Sequence, residues 1–150
     1  MKLLVINGPN LNMLGIREPD IYGKQDYRAL CQFIEAAAAE VGVTCEIFQS
    51  NHEGDLVDAI QSAYTLEEDG ILINPGAYTH TSIAILDAVK AVGKPCVEVH
   101  ISDVNSREEF RRISYIRAAC IATVSGLGTD GYLVAMEQLI DHIRKTEGKA

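Results

Sequence analysis

The chain has 150 residues, 47% hydrophobic and 23% charged, with 13 Lys and Arg against 21 Asp and Glu for a formal charge of −8. Those values fit one acidic globular domain spanning residues 1–150 and argue against disordered or fibrous classes. An acidic total gives no field to gather phosphate backbones, no apolar run nears the roughly 20 residues of a membrane span, and residues 1–7 read as a strand rather than a leader, so neither nucleic acid nor membrane is expected as a partner and a cytoplasmic location is expected.

The first apolar run is 3–6, followed by a polar loop over 7–23 with Pro9, Gly15, Pro19 and Gly23. A helix is expected from about Asp26 to Val41, with Leu30, Phe33, Ile34, Ala37 and Val41 on one face. A strand over 44–49 and a helix from about Asp55, carrying Leu56, Ile60 and Tyr64, come next. Residues 71–73 form a buried-strand run that Asn74-Pro75-Gly76 ends, and a helix over 81–92 stops at Gly93 in the C-capping position. After Pro95 come a strand at 96–99, an irregular or short helical stretch around 107–110 and a fifth strand at 121–124. Asp130 is expected to cap a last helix whose stripe is Leu133, Met136, Ile140 and Ile143.

Strand and helix alternating five times imply a parallel sheet, because parallel neighbours need a crossover and the crossover is usually a helix. The strands are continuous apolar runs, as burial on both faces requires. The expectation is an α/β three-layer sandwich with five parallel strands. In such a sheet ligands bind beyond the carboxyl ends of the strands, which selects the loops 7–23, 49–53, 74–80, 100–105 and 125–129. With strand order 2-1-3-4-5 the reversal lies between strands 1 and 3. The cysteines Cys31, Cys45, Cys96 and Cys120 lie far apart inside apolar stretches and read as buried reduced thiols rather than metal ligands.

Four motifs carry chemistry, each with a plainer reading beside it. Gly126-Leu-Gly-Thr-Asp-Gly131 fits G-x-G-x-x-G. It follows the last strand, however, so no second strand can present an acid to a ribose, and a tight turn with close helix packing is favoured. In the first loop Arg17 could lower the pKa of Tyr22 and make a phenolate base, against an exposed arginine and a packing tyrosine. In the third loop Thr79, Thr81 and Ser82 can cap the following helix, or Asn74 and His80 can hydrogen-bond a ligand in the cleft. Glu98 and His100 are two apart and share a strand face, where Glu98 could orient His100 as a general acid; a buried ion pair is the alternative. Arg107, Arg111 and Arg112 read as a solvated face in which one arginine could clamp a carboxylate.

The segments Asn7-Gly-Pro-Asn-Leu-Asn-Met-Leu-Gly15, Arg17-Glu-Pro-Asp-Ile-Tyr-Gly23, Asn74-Pro-Gly-Ala-Tyr-Thr-His-Thr-Ser82, Glu98-Val-His-Ile-Ser102, Arg107-Glu-Glu-Phe-Arg111 and Gly126-Leu-Gly128 resemble, in order and spacing, those of the type II 3-dehydroquinate dehydratases. The resemblance covers essentially the whole chain. It implies a flavodoxin-like fold, a homo-dodecamer built as a tetramer of trimers, no metal and no cofactor. It further implies trans-elimination of water from 3-dehydroquinate to 3-dehydroshikimate, through an enolate, in the shikimate pathway of aromatic amino acid biosynthesis. Carried over by position, Tyr22 is the base and Arg17 keeps it ionised. His100, backed by Glu98, is the acid, and Asn10 helps to hold a water near the enolate oxygen. Asn74, His80, Ile101, Ser102 and Arg111 match substrate-binding positions, and Asp87 matches one that reaches a neighbouring subunit's site. Arg112-Ile113 and residues 116–122 depart from the commoner family wording, which touches local packing or subunit contact.

The chemistry agrees with that assignment, since loss of a β-hydroxyl from a ketone needs a base, an acid and stabilisation of the enolate oxygen. A lysine Schiff base is disfavoured, because the lysines lie at ends, in loops or on helix flanks. Residues 15–24 are expected to close over the substrate. Arg17, Arg111, His80 and His100 are expected to form a positive pocket within the acidic whole. The competing readings are a nucleotide- or flavin-binding module on the same fold and an inactive structural homologue.

Overall fold

A computed structural model describes residues 1–16 and 25–148. Arg17, Tyr22 and most of the loop expected to close lie outside the described residues.

Five parallel strands form one sheet in the order β2-β1-β3-β4-β5. They are β1 (Lys2–Asn7), β2 (Thr44–Gln49), β3 (Gly70–Asn74), β4 (Cys96–His100) and β5 (Ala122–Ser125). Beyond Lys2, the central strands β1, β3 and β4 are buried at every residue, while the edge strands β2 and β5 are half-exposed. That is why β1 and β3 read as unbroken apolar runs up to their final asparagines, while β4 buries Glu98 and His100 among its apolar residues. Four α-helices stand among the described residues: α1 (Tyr27–Glu40), α2 (Glu53–Thr65), α3 (Ile83–Val92) and α4 (Asp130–Glu147). Leu3, Val5, Leu72, Val97 and Val99 pack toward α1 and α4, with Leu30, Ile34, Met136 and Ile140. Their alternates Leu4, Ile6, Ile71, Ile73 and Cys96 face α2 and α3, with Leu56, Ile60, Ile85 and Val89. The two-residue period of a strand thus builds a core on each face. Among the described residues no helix is long and apolar enough to cross a membrane.

Local signals account for three helix ends. Asp26 caps α1 through Ala29 N–H at 2.8 Å, and Ser82 caps α3 through Ile85 N–H at 3.0 Å. Gly93 ends α3 at φ +64°, the left-handed conformation a residue without Cβ adopts readily. Two expectations are corrected. Asp130 is the first residue of α4 rather than its cap; Thr129 holds that position with a helical backbone and no side-chain bond. Residues 76–80 form a separate 3-10 turn, so α3 begins at Ile83 and Thr79 is buried instead of capping. The irregular or short helical stretch expected around 107–110 is present, as part of a run of three 3-10 turns, Val104–Ser106, Glu109–Arg111 and Ile116–Ala119. All four cysteines are free thiols, and only Cys96 is fully buried, with the Cys120 sulfur 3.7 Å from its own.

Candidate active site

The parallel register places Gln49, Asn7 and Asn74 side by side at the carboxyl edge of the sheet. Three amides in a row begin the site where the apolar runs end. The backbone of Gly8 then crosses the loop after β3. Its N–H donates to the Asn74 carbonyl at 2.7 Å, and a Cβ there would lie 2.5 Å from the Pro75 carbonyl oxygen. Asn10 turns the chain at φ +68° with its N–H on Asn51 Oδ1 at 2.9 Å. Gln49 Nε2 donates to the Gly8 carbonyl and to Asn51 Oδ1, both at 3.2 Å. The loops after β1, β2 and β3 are therefore tied together.

Beneath them runs a chain of neutral groups. Asn74 Nδ2 donates to the Tyr132 hydroxyl at 3.0 Å, and that hydroxyl donates to Asn7 Oδ1 at 2.6 Å. Asn7 Nδ2 reaches the Tyr27 hydroxyl at 3.4 Å, and Asn74 Oδ1 accepts Gly76 N–H at 3.3 Å. Both faces of the Asn74 amide are thereby assigned, which fixes its orientation. Burial pushes both phenols well above the ordinary tyrosine range, so Tyr27 and Tyr132 stay neutral.

The end of β4 is built differently. His100 Nε2 lies 2.5 Å from Glu98 Oε1, with the histidine side chain 6% and the carboxylate 0% exposed. The other carboxylate oxygen accepts the Ser114 hydroxyl at 2.9 Å. His80 Nδ1 donates to the Ile113 carbonyl at 2.6 Å, which leaves Nε2 as the acceptor of the neutral ring. Burial holds His80 below its ordinary pKa against the raising effect of that bond, with His100 and Arg111 adding to the depression. At neutral pH His80 is therefore uncharged, which corrects its place in the expected positive pocket. Arg111 Nε pairs with Glu108 Oε2 at 2.8 Å, and its guanidinium lies 5.2 Å from the Phe110 ring centre.

One cleft of about 90 Å³ gathers these groups. Asn10, Asn74, His80, His100, Ile101, Ser102 and Arg111 all line it. Glu98 lies behind His100 rather than in the wall. Asp87 is on α3, exposed, and outside the cleft. Arg107, one of the three arginines expected as a solvated face, also lines the cleft, and residues not singled out beforehand are Leu14 and Val104 in the wall and Asn7, Tyr132 and Ser114 behind it. Asn7 was signalled by its position at the end of strand 1. A tyrosine one turn before Met136 on an apolar stripe also needs a polar partner, which points to Tyr132. Nothing local marks Ser114.

The glycine pattern is a turn. Gly126 and Gly128 have φ +81° and +62°, and their N–H groups donate to the carbonyls of His100 and Ile101 at 3.3 and 3.0 Å. A Cβ added at Gly131 would meet Val99 and Val124 at 3.5 Å, an ordinary contact distance. Amides committed to the loop after β4 cannot cradle a phosphate.

Comparison with known proteins agrees along nearly the whole length. Residues 1–140 match the family model for dehydroquinase class II. The 3-dehydroquinate dehydratase of Lachnospira eligens is 55% identical over 142 residues, covering 94% of this chain and 97% of the relative. That of Clostridium perfringens strain 13 is 52% identical over 144 residues, covering 96% and 99%. The type II dehydroquinase of Butyrivibrio crossotus superposes with a TM-score of 0.92 at 51% identity, covering 93% of this chain and 97% of that one.

Proposed function

The chain belongs to the class II dehydroquinase family and is a dehydratase of the shikimate pathway, and on that premise we propose how its residues divide the reaction. The substrate is 3-dehydroquinate and the reaction a hydro-lyase elimination; the nucleotide- or flavin-binding alternative has no support.

Tyr22, as phenolate, removes the proton next to the ketone, with Arg17 holding the phenolate charge. Electrons move into the carbonyl to give an enolate, whose oxygen Asn10 serves through a held water. His100 then donates the proton on Nδ1 to the departing β-hydroxyl, which leaves as water while the enolate collapses to the conjugated enone. Glu98 keeps the imidazolium oriented through Nε2. Asn74, His80, the Ile101–Ser102 backbone and Arg111 hold the substrate's carboxylate and hydroxyls. The observation that carries this reading is the 2.5 Å Glu98–His100 pair opening onto the cleft that those binding residues share.

Residues 1–150 act as one catalytic domain, in the cytoplasm, and the assembly is a dodecamer of four trimers. Ile83, Phe110, Ile113 and Tyr115 leave large apolar surface exposed, in keeping with subunit contacts. Asp87, exposed and off the cleft, serves the site of a neighbouring copy. Sedimentation at micromolar concentration tests the assembly, and a monomer would remove it.

The direct test follows the ultraviolet absorbance of the conjugated enone formed from 3-dehydroquinate. Wild-type protein should turn over and Tyr22→Phe should lose at least about a hundredfold in kcat. A Tyr22→Phe protein with most of the wild-type rate would remove the assigned base.

A further inference from the structure

Glu98 is the most deeply buried carboxylate of the site, and only one of its oxygens faces His100. The second oxygen is held by Ser114, which comes from a different part of the chain, between the 3-10 turns Glu109–Arg111 and Ile116–Ala119. The direction of that bond is fixed, because the Ser114 hydroxyl oxygen also accepts Arg117 N–H at 3.1 Å. Its one proton is left for the carboxylate. The neighbouring peptides lock the segment in place: the Ile113 carbonyl takes the His80 Nδ1 proton, and Tyr115 N–H donates to the Thr79 carbonyl at 3.1 Å.

We propose that Ser114 is a positioning residue that acts through Glu98 on His100, keeping the shared proton on the histidine rather than on the carboxylate. The inference rests on the reading of His100 as the acid. A buried carboxylate with one donor has a higher proton affinity than one with two. Taking away the Ser114 hydroxyl therefore draws the shared Nε2 proton toward Glu98, which leaves the ring closer to neutral and its Nδ1–H less ready to leave. The acid becomes weaker, and the pair loses its proton at higher pH. The other ionisable groups around the pair stay in place: Cys96 on the same strand, Cys120 beyond the Ile116–Ala119 turn, His80 on the Gly76–His80 turn, and Arg107 and Arg111 across the cleft.

The test is the pH dependence of kcat for the wild type, Ser114→Ala, Ser114→Thr and His100→Ala, each checked for folding by thermal melt. Ser114→Ala should lower the plateau kcat about tenfold, since a hydrogen bond to a charged group is lost. Its alkaline limb should move up by roughly half to one pH unit, and KM should stay within about twofold. Ser114→Thr, which keeps the hydroxyl, should restore both rate and limb. An unshifted limb in Ser114→Ala, or a loss confined to KM, overturns the proposal while leaving His100 as the acid. A His100→Ala protein with wild-type turnover overturns the assignment of the acid itself, and the Ser114 proposal with it.

Discussion

The two sides of the cleft begin at equivalent places, the carboxyl ends of neighbouring parallel strands, yet they use opposite physics. Beneath the ends of β1 and β3 runs a chain of neutral amides and phenols, Asn74–Tyr132–Asn7–Tyr27. At the end of β4 stands the titratable pair Glu98 and His100. A neutral, mutually satisfied network fixes direction without changing charge over the working pH range. A buried carboxylate beside an imidazole sacrifices that constancy for the ability to move a proton. Among the described residues, the difference separates groups of fixed charge from a pair able to move a proton, within a single row of strand ends.

The largest effect should come from breaking the titratable side. His100→Ala should cost about 10²- to 10⁴-fold in kcat with a smaller change in KM, measured by steady-state kinetics. An equal loss in KM alone would make His100 a binding group instead. On the neutral side, Tyr132→Phe leaves the Asn7 and Asn74 amides without their partner and should cost about 1–3 kcal/mol in urea unfolding. Its kcat should fall far less than that of His100→Ala. The buried phenols also carry a signed pH effect. Their folded pKa values lie above the ordinary 10 or so, so the stability they contribute is present below that pH and lost as pH rises beyond it. Tyr132→Phe should flatten that alkaline decline. Asp26→Ala removes the cap of the helix that carries Tyr27 and should cost about 1 kcal/mol with no change in the shape of the pH–rate profile. His80 gives the smallest signal. Its folded pKa is depressed, so its contribution is present above about pH 6.5 and declines as pH falls through the lower folded value. His80→Gln should lessen the drop in melting temperature between pH 7 and pH 5.

The β-strands and the helix faces were legible because burial on both sides of the sheet forces runs such as Leu3, Leu4, Val5 and Ile6, and the strand-end rule then chose the loops that meet in the cleft. Glu98 and His100 were found by spacing, since two residues along a strand return to one face. Caps were less secure. Asp130 has a capping side chain, but the turn through Gly126 and Gly128 brings Thr129 into helical conformation first, so the helix starts one residue earlier than its chemistry suggests. The groups behind the site were hardest to read, because Ser114 and Glu98 are 16 residues apart and Tyr132 and Asn7 are 125 apart. Their pairing is a property of tertiary packing, which leaves no local pattern. The charge of His80 was misjudged for the same reason, since its burial depends on the segment at Ile113.

The contact between Gly8 and the Pro75 carbonyl leaves no room for a methyl group. The two loops that meet there are a single mechanical part, since one cannot shift outward without taking the other along. Substitutions in Asn10 and in Gly76 or Ala77 should therefore fail to add, and a thermodynamic cycle across the seam should show coupling between residues that have no side-chain contact. Selection on either loop then acts on both, and a change of substrate would require them to move as a pair.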